Sequence, residues 1–248
     1  AVGEDELIKI LDGQIKEAVR KDPFIASFKG RRAHNAFIID CAADALRKCV
    51  RSLLPMMQAG LFRPVMSEAA FGRADASIGE YRVRVDRRRE LLMNGKIDRI
   101  DIADIEGGKA AVIFDYKRKK TAVNWSKLYH GLDMQLPIYI LAVRKAGSSP
   151  CKNAAGAFYL PVETGPGEKY KAIGMFNGEF AAQLDGTAAS GWSEFYNLFL
   201  SKDGEPYGHY ESQGSLKPND FEKVLKFTQK KIVGLAGKLF SGAIEASP

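Results

Sequence analysis

Two carboxylates and an ammonium group, those of Asp98, Asp115 and Lys117, lie near the ends of two runs with the pattern of β-strands. Paired carboxylates suit a hard cation such as Mg²⁺ or Mn²⁺, which takes a few carboxylates together with water and phosphate oxygens. Such an ion lowers the pKa of a bound water and neutralises charge that develops on a phosphate. A lysine beside it can hold or deprotonate that water, or pair with the phosphate. The alternative is an Asp–Lys ion pair on a solvated face, worth ~0–1 kcal/mol.

A hairpin turn at Gly107-Gly108 must bring these three side chains together. A Gly-Gly pair between strand-like runs predicts a short turn, and a turn centred there makes the numbers of paired residues sum to 215. Asp98 is then opposite Lys117, and Ile100 is opposite Asp115. Directly opposed residues, and residues two apart on one strand, share a face of the sheet. We therefore predict that the two aspartates and the lysine converge on one side of the hairpin.

The strand before Asp115 supports a built site. The run from Ala110 to Phe114 is continuously apolar, as is typical of an interior strand. It ends abruptly at Asp115-Tyr-Lys117, opposite another carboxylate. Charges at the end of a buried strand favour a functional site over incidental surface charge.

Four ordered motifs between about residues 60 and 160 resemble those of a known family. They are Phe62-Arg-Pro-Val-Met-Ser-Glu-Ala-Ala-Phe-Gly72, Gly95-Lys-Ile-Asp-Arg-Ile-Asp101, Asp115-Tyr-Lys117 and Leu128-Tyr-His-Gly-Leu-Asp-Met-Gln-Leu-Pro-Ile-Tyr139. Together they resemble the PD-(D/E)xK nuclease superfamily, in particular its RecB-like branch. They are most similar to the C-terminal nuclease domain of AddB (RexB-like) subunits of bacterial ATP-dependent helicase/deoxyribonucleases. The resemblance implies an α/β (α+β) fold with a restriction-endonuclease-like mixed sheet flanked by helices.

The resemblance also implies roles for residues of the hairpin. Asp98 and Asp115 would bind Mg²⁺ (or Mn²⁺), helped by the Tyr116 carbonyl. Lys117 would orient or deprotonate the water that attacks a DNA phosphodiester. The implied activity is that of a metal-dependent deoxyribonuclease of exonuclease type, acting in double-strand break processing and recombinational repair.

A helix predicted from about 126 to 144 adds two further candidates, Gln135 and Tyr139. Its apolar positions form one stripe on which Gln135 is a polar exception, and a buried amide needs partners. The family resemblance implies that Gln135 and Tyr139 position the substrate, whereas a structural hydrogen bond to backbone is the alternative for Gln135. Pro137 should kink this helix. The stripe comprises Leu128, Leu132, Gln135, Tyr139 and Ala142.

Two residues upstream, Glu68 and His34, each have two possible roles. Glu68 lies on a strand predicted at 62–72, where the family pattern has a Glu, and its role is either at the metal site or in a strand-end ion pair. RecB-like nucleases carry a metal-ligand His on a helix before this strand. His34 lies on a predicted helix (30–59) on one face with Ile38 and Cys41, so we expect it to be a packing residue.

Basic residues at two places are candidate DNA contacts. Arg118, Lys119 and Lys120 follow the predicted catalytic strand and could bind the scissile strand's backbone, or form a solvated loop. Arg87 and Arg88 belong to an arginine cluster on an alternating run at 81–93, which we expect to turn at Asn94-Gly95 and pair with the next strand. These arginines could contact phosphates or protect a sheet edge.

The remaining elements complete a core of three strands, a helix and a strand. We expect a helix at 4–20 that Asp22-Pro23 ends, a strand at 154–160, loops at 163–214 with a short helix at 192–199, and a helix at 218–240. The predicted organisation is a helical segment (1–60) packed on a nuclease core (61–248), together forming one domain.

The composition of the 248 residues is that of an ordinary globular protein, with 46% hydrophobic residues and a net charge of +7. The excess charge permits a nucleic-acid partner without establishing one. No apolar run reaches the length of a membrane span, and three scattered cysteines suggest no disulfide framework, so we expect a cytoplasmic protein.

The sequence departs from the AddB pattern in two respects. AddB-type proteins carry an iron–sulfur cluster, and its cysteine ligands are absent from this chain; the family's glycine-preceded His motif is also not found. We therefore expect an excised fragment or a homologue that has lost its cluster. In the parent complex the resemblance implies DNA and an AddA-like helicase–nuclease subunit as partners. The rival interpretation is a catalytically incomplete scaffold that binds DNA or docks another subunit.

Overall fold

The computed structural model describes residues 3–209 and 212–243. The helices are α1 (Glu4–Lys21), α2 (Pro23–Arg31), α3 (Ala33–Ala59), α4 (Trp125–His130), α5 (Gln135–Lys145), α6 (Ala181–Leu184) and α7 (Pro218–Phe240). The strands are β1 (Arg63–Phe71), β2 (Tyr81–Arg84), β3 (Glu90–Met93), β4 (Gly95–Ile105), β5 (Gly108–Lys117), β6 (Ala154–Pro161), β7 (Ile173–Asn177), β8 (Gly191–Trp192), β9 (Phe199–Leu200) and β10 (Ser215–Leu216). None of the helices described is long and apolar enough to cross a membrane.

A six-stranded mixed sheet forms the centre, in the order β1-β4-β5-β6-β7-β10. β4 pairs antiparallel with β1 and β5, whereas β5 and β6 are parallel and are connected through α4 and α5. A parallel pair needs such a crossover connection. The predicted mixed sheet flanked by helices is confirmed, including the order of three strands, a helix and a strand.

Hydrophobic clusters cover both faces of the sheet. On one face α5 and α7 pack against odd-numbered residues of β5, among them Ile113. On the other face the end of α3 and residues 195–200 pack against even-numbered ones, among them Phe114. Every residue of β6 is buried. The continuous apolar runs of β5 and β6 follow from this double covering.

The β4–β5 hairpin differs from the predicted register by two residues. Ile105 pairs with Gly108 and Ile100 pairs with Ile113, so paired numbers sum to 213 rather than 215. The turn is Glu106-Gly107, and Gly108 already belongs to β5 with φ +134°. Because the slip is an even number of residues, every side chain stays on its predicted face. Continued beyond the last pair, this register places Asp98 opposite Asp115, not opposite Lys117.

The predicted strand at 81–93 is instead a separate hairpin of β2 and β3. The chain reverses at residues 85–89, where Asp86 accepts hydrogen bonds from the backbone N–H groups of Arg88 and Arg89. Asp side chains favour such turns because they satisfy the backbone two and three residues on. The predicted turn at Asn94-Gly95 was wrong.

The helix predicted at 126–144 is broken into α4 and α5. Gly131 ends α4 in the left-handed conformation, at φ +81°, which a glycine adopts readily. Gln135 is consequently the first residue of α5, and Pro137 lies in its first turn, where the missing N–H costs nothing. The predicted kink at Pro137 and the single stripe were therefore wrong, and Leu132 is 78% exposed.

The remaining predictions concern the helices and loops outside the centre of the sheet. The predicted end of the first helix at Asp22-Pro23 is confirmed, because Asp22 caps α2 and Pro23 begins it. The predicted helix at 30–59 begins at Ala33, after extended Arg32. The short helix predicted at 192–199 was wrong, since those residues form the β8–β9 hairpin, and β7 was missed. The final helix is confirmed at Pro218–Phe240.

Candidate active site

Asp98 lies where β4 separates from β5. The ladder between the two strands ends at the pair Arg99–Phe114. Beyond it the backbone N–H of Tyr116 donates to Asp98 Oδ2 at 2.7 Å. In the ladder this N–H would donate to a backbone carbonyl of β4, but here it donates to the Asp98 carboxylate. The hydrogen bond holds that carboxylate beside the end of β5.

Asp115 and Lys117 lie at the end of β5 on the face that α5 covers. Lys117 Nζ is 2.5 Å from Asp115 Oδ2, and it donates to Gln135 Oε1 at 2.9 Å. Gln135 Nε2 donates in turn to Asp115 Oδ1 at 2.8 Å and to the Tyr139 hydroxyl at 2.9 Å. The structure therefore brings Asp98, Asp115, Lys117, Gln135 and Tyr139 together.

The break at Gly131 is what allows α5 to present its first turn to the strand end. Gln135 and Tyr139 are four residues apart and lie on one face of α5. Tyr139 packs edge-on against Phe71 of β1, with ring centroids 6.1 Å apart. The Gln135 amide has side-chain partners, so the alternative of a hydrogen bond to backbone does not hold in this structure.

Burial and charge act together on the acidic and phenolic groups of this site. Burial raises the pKa of Asp115 above its ordinary value; the Lys117 ammonium lowers it and the Asp98 charge raises it further. Burial likewise raises the pKa of Tyr139, to which the charges of Asp115 and Asp98 contribute, while the Gln135 hydrogen bond lowers it. Tyr139 is therefore a protonated hydroxyl whose oxygen accepts from Gln135 and whose own proton is available to donate.

The donor set suits a hard divalent cation. Asp115 Oδ2 is shielded from solvent and has no hydrogen-bond partner of good geometry, so the Lys117 ammonium compensates its charge. Among the described residues no three His, Cys, Asp or Glu side chains form a metal-binding group. Mg²⁺ typically takes one or two carboxylates and completes its shell with water and substrate phosphate. Asp98, Asp115 and the neighbouring Tyr116 carbonyl fit that pattern.

Glu68 lies on β1 at the position across from Asp98, since its neighbours pair with Arg99 and Ile97. Its side chain is exposed and contacts the ammonium of Lys96, and its φ of +53° is unusual for a residue with a side chain. Lys96 is within electrostatic reach of Asp98. Here Glu68 makes the strand-end ion pair.

His34 is apart from this site. It lies in the first turn of α3 and is exposed, as are Ile38 and Cys41. The stripe that they share faces solvent rather than the core, so the expected packing role was wrong. The core-facing residues of α3 are Ala43, Cys49 and Met56.

The predicted basic contacts are exposed. Arg118 pairs with Glu163, with Nε 3.2 Å from Oε2, while Lys119 and Lys120 line an open cavity of about 390 Å³ beside the same carboxylate. Arg87 and Arg88 lie at the tip of the β2–β3 hairpin. Their role in binding DNA stays a prediction.

Sequence reasoning missed one neighbour of Lys117, Tyr159, together with the hydrogen-bond partner of that tyrosine, Asp133. The Tyr159 ring of β6 lies under Lys117, with Nζ 5.2 Å from its centroid. The Tyr159 hydroxyl donates to Asp133 Oδ1 at 3.1 Å. A tyrosine in a fully buried strand needs a partner for its hydroxyl, and this requirement is the signal that could have identified it.

The opposite face of the sheet carries a buried ion pair that was also missed. Arg99 and Asp101 form a two-pronged contact, with Nε 2.6 Å from Oδ1 and Nη2 2.5 Å from Oδ2. Arg99 Nη1 also donates to the Tyr116 hydroxyl at 3.3 Å, and its guanidinium is 4.9 Å from the centre of the Phe114 ring. Through this hydrogen bond the ion pair holds the Tyr116 side chain on the face of the sheet opposite the site. The sequence feature that could have indicated this ion pair is the alternation of charged and apolar residues along an interior strand.

Comparison with known proteins adds a family match. A model of the PD-(D/E)XK nuclease superfamily matches residues 3–248. A relative from Clostridium tetani, named as a subunit of an ATP-dependent helicase/deoxyribonuclease, is 26% identical over 226 residues, which are 83% of this chain and 19% of that protein. One from Symbiobacterium thermophilum with the same name is 35% identical over 107 residues, 42% of this chain and 9% of that protein.

A third relative, from Streptococcus pneumoniae, is named "Exonuclease/helicase subunit RexB". It is 26% identical over 187 residues, which cover 74% of this chain and 16% of that protein. The chain thus spans less than a fifth of the length of these relatives.

Proposed function

The chain belongs to the PD-(D/E)XK nuclease superfamily, and we propose that it is a metal-dependent nuclease domain that hydrolyses DNA phosphodiester bonds. The observation that carries the proposal is the hydrogen-bonded group of Asp115, Lys117, Gln135 and Tyr139 beside Asp98. The names of the relatives support a deoxyribonuclease of exonuclease type within a bacterial helicase–nuclease. Such an assembly would act in the cytoplasm on broken DNA ends, with an AddA-like helicase–nuclease subunit as its partner.

Asp98 and Asp115, with the Tyr116 carbonyl, would hold Mg²⁺ or Mn²⁺. When bound, such an ion neutralises charge on the phosphate and makes a bound water more acidic. The ion would add to the positive charge that the buried oxygen of Asp115 receives from Lys117.

Lys117 holds the attacking water as an ammonium; it can take the proton of that water only as a neutral amine, after it has lost a proton of its own. Asp115, Gln135 and the Tyr159 ring fix its ammonium from three sides, so it is already oriented before substrate binds. Such preorganisation avoids reorganisation during the reaction. The water oxygen forms the new bond to phosphorus, and the bond from phosphorus to the leaving sugar oxygen breaks.

Gln135 and Tyr139 position the substrate and the lysine. The Gln135 amide is saturated by Asp115, Lys117 and Tyr139, so its main effect is to fix those groups. The Tyr139 proton is free to donate to a phosphate oxygen. Burial keeps this hydroxyl protonated at neutral pH, because it raises the pKa.

Cleavage of a labelled DNA strand with Mg²⁺ or Mn²⁺ tests the proposal. Lys117→Ala should abolish cleavage while the chain stays folded; circular dichroism checks the fold, because the substitution removes the ammonium that compensates buried Asp115. Lys202→Ala is the control, since it removes an exposed lysine that has no role at the site or among the predicted DNA contacts. If Lys117→Ala retains full activity, the assignment of the catalytic site is wrong. If the wild-type chain binds DNA without cleaving it in either metal, the domain is a non-catalytic scaffold.

A further inference from the structure

A second surface of the molecule adjoins this site, on the side where α4 meets α7. The rings of Tyr129 and Phe227 are stacked there, with centroids 5.6 Å apart and planes at 8°. Lys231 Nζ lies 5.6 Å from the centre of the Tyr129 ring. We call the surface formed by Tyr129, Leu132, Lys231 and Leu235, together with the exposed Lys127 that precedes Tyr129 by two residues, the α4–α7 ledge.

The apolar side chains of the ledge are open to solvent. Tyr129 is 62% exposed although one side of its ring covers Phe227, and Leu132 and Leu235 are 78% and 45% exposed. The two helices meet closely at Gly131, where an added Cβ would be 3.2 Å from Lys231 Cγ. An aromatic ring is thus held rigidly with much of its area free.

Charge on both segments of the ledge has one sign. Residues 116–132 contain five Lys or Arg and no Asp or Glu, and so do residues 223–243. Segments this rich in Lys and Arg complement a polyanion, and Asp133, the carboxylate that follows Leu132, accepts a hydrogen bond from the Tyr159 hydroxyl. Exposed aromatic rings interspersed with cations are the arrangement with which proteins bind unpaired nucleic-acid strands, because every base has a face that can stack.

The ledge is continuous with the proposed catalytic group. Lys117 lies over the Tyr159 ring, whose hydroxyl donates to Asp133. Asp133 directly follows Leu132 of the ledge and precedes Gln135 by two residues. The chain thus leads within three residues from Leu132 of the ledge to Gln135 of the site.

We propose that the α4–α7 ledge binds single-stranded DNA, with Tyr129 stacked on a base and Lys127 and Lys231 on the backbone. The proposal rests on the proposed nuclease function for the identity of its ligand. A duplex presents no free base faces, so the ledge selects the unpaired strand. It would deliver that strand to Lys117.

A binding cycle in EDTA tests the stacking contact without any cleavage. The probes are a short labelled oligothymidine and an abasic strand of equal length. Tyr129→Leu should weaken oligothymidine binding about tenfold and leave abasic binding unchanged, whereas Tyr129→Phe should bind both as the wild type does. Equal losses on both probes, no loss, or tighter binding of duplex DNA would overturn the proposal. The abasic probe separates lost stacking from a disturbed fold, and Tyr129→Phe shows that the ring rather than the hydroxyl is required.

A charge-matched pair of variants tests the backbone contacts. Lys127→Gln/Lys231→Gln should reduce the dependence of log affinity on log salt by roughly 0.7 per lost contact. Lys226→Gln/Lys230→Gln removes equal charge from another surface of α7, where these lysines flank Gln229 and Val233, and should change the slope less. An equal change of the salt-dependence slope in both double variants would overturn the proposal that the ledge binds DNA. Cleavage that fails in metal while these results hold would refute the nuclease function alone.

Discussion

Removing one partner of the buried Arg99–Asp101 pair should destabilise the fold far more than removing one partner of an exposed pair. The Arg99 and Asp101 side chains are 8% and 2% exposed. Breaking a buried pair leaves an uncompensated charge and typically costs 3–5 kcal/mol. Because Arg99 keeps the Phe114 ring and the Tyr116 hydroxyl, we expect the lower end, about 3 kcal/mol, for Asp101→Asn.

The chain supplies a matched control in Arg73 and Asp75. These residues have the same types and the same spacing, and they also form an ion pair, but both side chains are 75% exposed. Asp75→Asn should therefore change the free energy of unfolding by less than about 1 kcal/mol. Equilibrium unfolding in urea, monitored by tryptophan fluorescence and circular dichroism, gives both values.

The double variant Arg99→Met/Asp101→Leu distinguishes a lost charge partner from lost packing. It removes both charges and keeps similar volume, so its stability should recover to within about 1 kcal/mol of the wild type. Two results would contradict a buried charge pair. One is that Asp101→Asn lowers the free energy of unfolding no more than Asp75→Asn does. The other is that the double variant loses as much stability as its two single substitutions together.

Three further predictions concern the site and its supports. Gln135→Met keeps the side-chain length but loses the amide, so the turnover number should fall roughly tenfold or more, because hydrogen bonds to charged groups are worth about 1.5–3 kcal/mol; an unchanged rate in single-turnover cleavage would contradict this. Burial raises the pKa of Cys49 to about 11, so a thiol reagent at pH 8 should label exposed Cys41 rapidly and Cys49 only after unfolding, as mass spectrometry of labelled peptides can show. Gly131→Ala should lower the free energy of unfolding by more than about 1 kcal/mol, because the φ of Gly131 is +81°. Gly13→Ala, in open space within α1, should instead raise it by roughly 0.5–1 kcal/mol. Thermal melts that rank the two variants the other way would refute this reasoning from backbone conformation.

The face of each hairpin residue could be predicted from the sequence, but the turn could not. Gly107 and Gly108 both have positive φ, so either one could have been the second residue of the turn, and the pattern of side chains does not distinguish registers that differ by two. Asp98, Asp115 and Lys117 nevertheless lie on one face of the hairpin, because side chains along a strand alternate between faces with a period of two.

The contacts that complete the site depend on long-range packing. Helical periodicity runs unbroken through residues 126–144, yet the structure leaves the helix at residues 131–134, beginning with the positive φ of Gly131. Glycine within a helical pattern is tolerated often enough that the break could not be inferred from it alone. Tyr159 reaches Lys117 because β6 lies parallel to β5, a pairing that local sequence does not encode.

Calorimetric titration of Mn²⁺ into this chain, beside the double variant Asp98→Asn/Asp115→Asn, tests the central claim most directly. The account predicts that the wild-type chain binds the ion and that the double variant, folded as judged by circular dichroism, does not. Binding of equal strength in both would mean that the ion uses other ligands. No binding in the wild type would contradict an assembled metal site at the end of β5.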